Sequence, residues 1–96
     1  MRVRCDPNKR DQVLGERGID LQKLEELFEL PYIEDVRNDN PLQFRVIGFA
    51  GGILTTYVVE YRRDEIGEYA WVVTAWRSTS HEEEAYEQAT QGYGNG

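Results

Sequence analysis

The sequence predicts an α+β domain with an antiparallel sheet, and two observations carry this prediction. Three segments with strand patterns, 43–49, 53–62 and 68–77, follow one another with only short turns between them. Strands joined by short turns must run antiparallel. Helix-start and helix-stop signals lie before and after this region rather than between its strands. The predicted order of elements is therefore β-α-α-β-β-β-β-α.

The N-terminal elements are predicted to be a short strand and two helices. Residues 1–5 alternate apolar and basic side chains, as in a strand at a sheet edge. Asp-Pro at 6–7 predicts a helix start, because Asp caps and Pro fits the first helical position, and Gly15 or Gly18 predicts its end. A second helix, capped by Asp20, is predicted from the helical spacing of four apolar residues. These residues are Leu21, Leu24, Leu27 and Phe28.

The central and C-terminal elements are predicted from alternation and from capping motifs. A further short strand is predicted at 32–36, before a loop at 37–41. Two overlapping capping boxes, which begin at Thr79 and Ser80, predict the start of a last helix. Alternate side chains of the strand 68–77 are predicted to share one face of the sheet. These side chains are Tyr69, Trp71, Val73 and Ala75.

Length, charge and cysteine content limit the classes of function. The 96 residues allow one domain, assigned to 1–90, with 91–96 predicted as a disordered tail. The net charge of −7 argues against a protein that coats nucleic acid by bulk charge. The single cysteine excludes an internal disulfide framework and a multi-cysteine zinc site. No segment approaches the ~20 apolar residues of a membrane span, and no signal peptide is visible, so we expect a cytoplasmic protein without membrane contact.

Short motifs in a fixed order resemble the BrnT family of type II toxins. The opening Cys-Asp-Pro-Asn-Lys is similar to the start of that family, and Thr-Ala-Trp-Arg-Ser-Thr is similar to its ending. The resemblance covers about residues 4–88, and the order of the motifs is its specific feature. The matching segments are 5–9, 18–21, 27–28, 46–48 and 74–79, the last followed by Glu82 and Tyr86.

The resemblance implies a RelE-like fold and a metal-independent endoribonuclease that cleaves RNA. It implies no cofactor and no metal, and a cognate antitoxin of the DNA-binding repressor type as partner. A homo-oligomer is also compatible with it. The chain departs from the family where Trp76, Phe49 and Gln43 replace basic residues and where Arg17 replaces a histidine. Apart from Arg17, which keeps its charge, these departures remove positive charge from a phosphate site.

Three residues are predicted to be catalytic: Arg77, His81 and Lys9. Metal-independent RNA cleavage needs an acid and a base for the proton transfers, and cations for the charge on the phosphorane. His81 is the single histidine and has a side chain that titrates near neutral pH. Arg77 lies four residues before it, at the predicted strand–helix junction. Lys9 matches a family position, so its role is implied by the resemblance.

Four residues are predicted to bind RNA: Arg17, Arg45, Arg62 and Trp76. Arginines neutralise phosphates, and aromatic rings, including those of Tyr57 or Tyr61, stack on bases. The candidate residues also have structural alternatives. For the arginines of the strands the alternative is a cross-strand pair with Glu60 or Glu68, and for Arg77 it is an ion pair at the sheet edge. For His81 it is a solvated cap, and for the aromatic residues it is a position in the core or at an interface.

Two functions follow from these alternatives. The first is a BrnT-like endoribonuclease toxin neutralised by an antitoxin. The second is a binding module of the same fold in which catalysis has lapsed and which acts only in a toxin–antitoxin repressor complex. Convergence of the cations into one positive cleft favours the enzyme, whereas dispersed cations, each beside a carboxylate, favour the binding module.

Overall fold

Residues 1–91, which the computed structural model describes, form an α+β fold with one mixed five-stranded sheet and three α-helices. The strands are β1 (Arg2–Cys5), β2 (Tyr32–Asp39), β3 (Leu42–Ala50), β4 (Ile53–Arg63) and β5 (Glu68–Arg77). The helices are α1 (Pro7–Arg17), α2 (Leu24–Leu27), which a 3-10 turn at Leu21–Lys23 precedes, and α3 (Ser80–Thr90). The strand order is β1-β5-β4-β3-β2. The predicted disordered tail lies outside the described residues except for Gln91.

The predicted antiparallel sheet is correct for β2 to β5 and wrong for β1. Strand β1 runs parallel to β5, with Val3 beside Ala70. The short-turn argument fixes the orientation only of consecutive strands. Between β1 and β5 the chain forms α1, α2 and the three other strands, so no tight turn constrains the direction of β1.

Strand β2 is longer than predicted, and most of the predicted loop 37–41 belongs to it. Its pairing with β3 continues to Asp39 and Leu42, which leaves a two-residue turn. The register shifts around Arg37, so this residue forms a bulge. The polar residues that indicated a loop instead lie on an exposed edge strand, where charged side chains are common.

The helix-capping predictions are confirmed, and the two choices that they left open, at the end of α1 and at the start of α3, are resolved. Asp6 accepts a hydrogen bond from the Asn8 N–H, and the helix that follows ends at Gly18, whose φ is 69°. Thr79 and Glu82 form the complete capping box that starts α3. The predicted second helix is shorter than expected: its residues divide between a 3-10 turn and the one-turn α2.

The two faces of the sheet have different environments. One, which we call the covered face, packs against α1, the 3-10 turn and α2 around Val13, Leu24 and Tyr57, which are almost fully buried. The other, which we call the open face, carries Tyr69, Trp71 and Trp76 of β5 with Arg45 and Arg62 of the neighbouring strands. Helix α3 packs beside β2 and β3 on the open face, where the ring of Tyr86 meets that of Phe49 edge to face.

A bulge determines which β5 side chains reach the open face. The β4–β5 register shifts between Val58 and Val59, so Val73 has no directly opposite partner. Ala70, Val72 and Ala75 all point into the core of the covered face. The prediction that Trp71 and Ala75 share a face is therefore wrong, because the bulge resets the alternation between them. No α-helix within residues 1–91 combines the length and the apolar character that crossing a membrane requires.

Candidate functional site

The open face carries a row of aromatic side chains, each with a guanidinium group above its ring. A planar guanidinium stacks well on an aromatic face, and the contact holds both groups in place. The distances from the guanidinium carbon to the ring centroid are 5.3 and 5.1 Å for Arg2 and Arg4 over Tyr69, 4.6 Å for Arg62 over Trp71, and 5.5 Å for Arg37 over Trp76. The face is therefore built from ordered aromatic–arginine pairs.

A cleft of about 350 Å³ lies where the open face meets the first turn of α3. We call it the α3 cleft. Three of the predicted site residues, Arg45, Trp76 and His81, line it, together with Asp35 and Glu82. The sheet supplies Arg45 and Trp76, and the capping box places Glu82 opposite them. The α3 cleft therefore brings three of the predicted site residues together.

Glu82 organises the α3 cleft from a buried position. Its Oε1 accepts hydrogen bonds from the Thr79 backbone N–H and from the Trp76 indole N–H, each at 2.9 Å. Its Oε2 lies 3.7 Å from Nη1 of Arg45. Burial raises the pKa of Glu82, but the hydrogen bonds from Thr79 and Trp76 outweigh burial and leave the pKa below its ordinary value. Glu82 is therefore an ionised acceptor at neutral pH and has no proton to donate.

Arg45 is held between two carboxylates. Its Nε and Nη2 donate to the two carboxylate oxygens of Asp35 at 3.1 and 2.6 Å, and Glu82 lies on its other side. The hydrogen bond to Asp35 raises the pKa of Arg45 above its usual value. Arg45, Asp35 and Glu82 together carry one positive and two negative charges. An incoming phosphate would meet Arg45 only by displacing Asp35 or by approaching both carboxylates.

Arg62 lies on the open face and is also paired. Its Nη2 is 2.7 Å from Oε1 of Glu60. Glu60 was the expected partner, but the expected cross-strand pairing is wrong, because the two residues lie two positions apart on β4 and share a face of the same strand. Hydrogen bonds from Gln43 and Arg62 lower the pKa of Glu60, so this carboxylate is a weaker base than an ordinary glutamate, and both of its oxygens are already engaged.

The remaining predicted residues lie elsewhere. Lys9 is on α1, which packs on the covered face. Arg77 also lies on that face, because it pairs with Thr55, and Thr55 is on the same side of β4 as the core residue Tyr57. Arg17, at the end of α1, donates a hydrogen bond to the Ala75 carbonyl at 2.7 Å. Pairing between β1 and β5 ends at Val72, so this carbonyl lies on the part of the β5 edge that β1 does not cover. The structure therefore does not bring Lys9, Arg17 or Arg77 into the α3 cleft with His81.

Sequence reasoning missed Asp35, which lines the cleft, and Arg37, which lies over the ring of Trp76, and it misplaced one aromatic residue. Arg37 fell in a predicted loop, so it could be assigned to neither face of the sheet. The proximity of Asp35 to Arg45 could have been found only from the strand register, which pairs these two residues directly. Tyr57, suggested as a base-stacking residue, is fully buried in the core, so that prediction is wrong.

Comparisons with protein-family models and with curated proteins found no match for this chain. Within residues 1–91, no three histidine, cysteine, aspartate or glutamate side chains are grouped so that they could hold a metal ion. By its geometry, the site is an aromatic–arginine surface that ends in a cleft with more carboxylates than cations.

Proposed function

We propose that this chain is a BrnT-like protein of a toxin–antitoxin pair which acts by binding its partner and in which ribonuclease activity has lapsed. The pairing of the open-face arginines with carboxylates carries the proposal. Arg45 is held by Asp35 and Glu82, and Arg62 is held by Glu60. RNA cleavage needs cations that are free to stabilise negative charge on the phosphorane, and these arginines are already engaged.

The acid–base groups of the cleft support the same proposal. His81 is exposed at the start of α3, and the buried carboxylate next to it in the sequence, Glu82, is ionised and accepts two hydrogen bonds at Oε1. Cleavage needs one group to remove a proton and another to supply one. Lys9 and Arg77, which would complete the predicted catalytic set, lie on the covered-face side of the molecule.

The composition of the open face favours binding to a protein. Tryptophan, tyrosine and arginine are the residue types that contribute most often to the energy of protein interfaces. Tyr69, Trp71 and Trp76 are half-buried, and guanidinium groups stacked on their rings hold them in place. Such ordered side chains lose little conformational entropy when a partner covers them.

The test is expression of the chain without a partner, followed by incubation of the purified protein with total RNA in EDTA. We expect normal growth and intact RNA, with an active RelE-like ribonuclease as the positive control. Cleavage of RNA by the wild-type chain, lost in His81→Ala and kept in Glu83→Ala, would overturn the proposal. Glu83 is a suitable control because it is exposed on the same turn of α3.

A second candidate is retained endoribonuclease activity, and one observation favours it. Arg45, Trp76 and His81 line the same cleft, and Arg37 lies over the ring of Trp76. In this case expression without the antitoxin arrests growth, and His81→Ala relieves the arrest. Arg77→Ala, the other substitution suggested by the sequence, has no effect if the α3 cleft is the site, because Arg77 belongs to the covered face.

A further inference from the structure

The turn between β3 and β4, at the end of this hairpin, lies between two adjoining hollows. The first hollow, of about 440 Å³, is lined by Leu14 and Ile53, and the second, of about 360 Å³, by Leu30 and Phe49. Gly51 lines both hollows and joins them. We call the two hollows together the hairpin surface.

The hairpin surface exposes four large apolar side chains around its two hollows. Leu14, Leu30, Phe49 and Ile53 are between 40% and 50% exposed, whereas Ala50 and Tyr57 beneath them are buried. Isolated exposed apolar side chains are common, but four around two joined hollows form a continuous patch. Patches of this kind on small domains mark interaction surfaces.

The two hollows differ in charge. The first is close to neutral, because Asp20 and Lys23 both line it. The second is lined by Glu26 and Glu29 and by no cation of residues 1–91. Glu26 accepts a hydrogen bond from the Gly51 N–H at 3.0 Å and lies 3.4 Å from Nζ of Lys23. Glu29 forms no ion pair within residues 1–91, so its carboxylate is available to a cation of a partner.

We propose that the hairpin surface docks a segment of a partner protein that places apolar side chains in both hollows and a lysine or arginine beside Glu29. The long apolar stem of such a residue fits against Leu30 and Phe49 while its charged head reaches the carboxylate. This inference rests on the proposed partner-binding function and adds a second contact surface, separate from the aromatic–arginine row, and the chemistry of the partner segment that it holds.

Charge complementarity distinguishes this occupant from the two others that the chain itself offers. A second copy would also carry a net charge of −7 and would bring the same carboxylates to the contact. Residues 92–96, Gly-Tyr-Gly-Asn-Gly, contain no cation that could pair with Glu29. A segment of another protein that carries both apolar and basic side chains is the occupant that fills the hollows and also neutralises the carboxylates.

The experiment uses the full chain and two short synthetic helical peptides. Both peptides have leucines at the same positions. The remaining positions are lysines in one peptide and glutamates in the other. Binding is measured by fluorescence anisotropy, and its location by changes in the amide NMR spectrum. We expect the lysine peptide to bind about tenfold more tightly, because its lysines are attracted to Glu29 and Glu26 whereas the glutamates of the other peptide are repelled by them. The spectral changes should centre on Leu30, Phe49 and Ile53.

Two variants and a matched control complete the test. Leu30→Ser should weaken binding of the lysine peptide, whereas Leu42→Ser, an equally exposed leucine at the other end of β3, should not. Glu29→Lys should reverse the preference between the peptides. Equal binding of both peptides, no binding of either, or spectral changes centred on Trp71 and Trp76 would overturn the inference. The RNA assay is separate, so failure here leaves the proposed loss of ribonuclease activity to be judged by that assay.

Discussion

The indole N–H of Trp76 donates a hydrogen bond to Oε1 of Glu82 at 2.9 Å, and this contact links the end of β5 to the first turn of α3. The same oxygen accepts the backbone N–H of Thr79. One buried carboxylate therefore completes the cap of α3 and fixes the orientation of the ring that forms a wall of the α3 cleft. The shape of the cleft depends on this residue more than on the histidine beside it.

Glu82→Ala should lower the free energy of unfolding by about 2 kcal/mol, because it removes the acceptor of the half-buried Trp76 indole and of the Thr79 N–H and so breaks the capping box. Glu82→Gln keeps an acceptor oxygen but loses the charge near Arg45, so its effect should be smaller. Urea unfolding measures both. Glu83→Ala, on the exposed side of the same turn, is the control and should change stability by less than about 0.5 kcal/mol. Equal effects of the two alanine substitutions would show that the Glu82 contacts contribute nothing.

Stability should fall as the pH drops from about 4 to about 2. The side-chain hydrogen bond from Arg2, at 2.6 Å, is the main reason that the pKa of Asp64 falls to about 2 from an ordinary 3.8. A carboxyl whose pKa is lower in the folded state stabilises the fold above its ordinary pKa, and this contribution disappears as pH falls through the folded pKa. The pKa of Asp20 is lowered in the same direction, chiefly by its hydrogen bond from Arg10.

Asp64→Asn should therefore make the unfolding free energy less dependent on pH between about 4 and about 2. Chemical denaturation at several pH values measures this dependence. The matched control is Glu65→Gln, which removes a charge of the same sign from the same turn without touching Arg2. A pH dependence that is unchanged in Asp64→Asn and altered in Glu65→Gln would contradict the assignment.

Alanine substitutions at two glycines should have opposite signs. At Gly48 a Cβ would lie 2.9 Å from Cγ of Leu27 and 3.1 Å from Cβ of Tyr32, so Gly48→Ala should destabilise the fold by about 1–3 kcal/mol. At Gly15, inside α1, nothing lies within 4 Å, and Gly15→Ala should stabilise it by about 0.5–1 kcal/mol. Thermal unfolding of the two variants checks the signs, and destabilisation by both would refute the packing argument.

Local signals made part of the fold predictable. The caps at Asp6 and Thr79 and the turn glycines act within a few residues, so the sequence reveals them directly. The direction of β1 and the bulge at Val73 depend on contacts between distant strands, and no local pattern encodes them. The candidate site was also only partly predictable, because it too depends on contacts between distant segments. Arg45 and His81 were each identified as candidates, but the carboxylates that neutralise Arg45 become visible only once the strands are paired and α3 is docked.

The position of β1 has a consequence for how the chain folds during synthesis. Its neighbour in the sheet is β5, so Val3 and Cys5 gain their backbone partners only after residues 69–72 have left the ribosome. A nascent chain that stops at β4 keeps this segment unpaired and also leaves open the edge of β4 that β5 later covers. Closure of so long a loop raises the contact order and makes docking of the amino-terminal strand a late, slow event. We therefore expect incompletely synthesised chains to be the ones most exposed to proteolysis or to strand-mediated association.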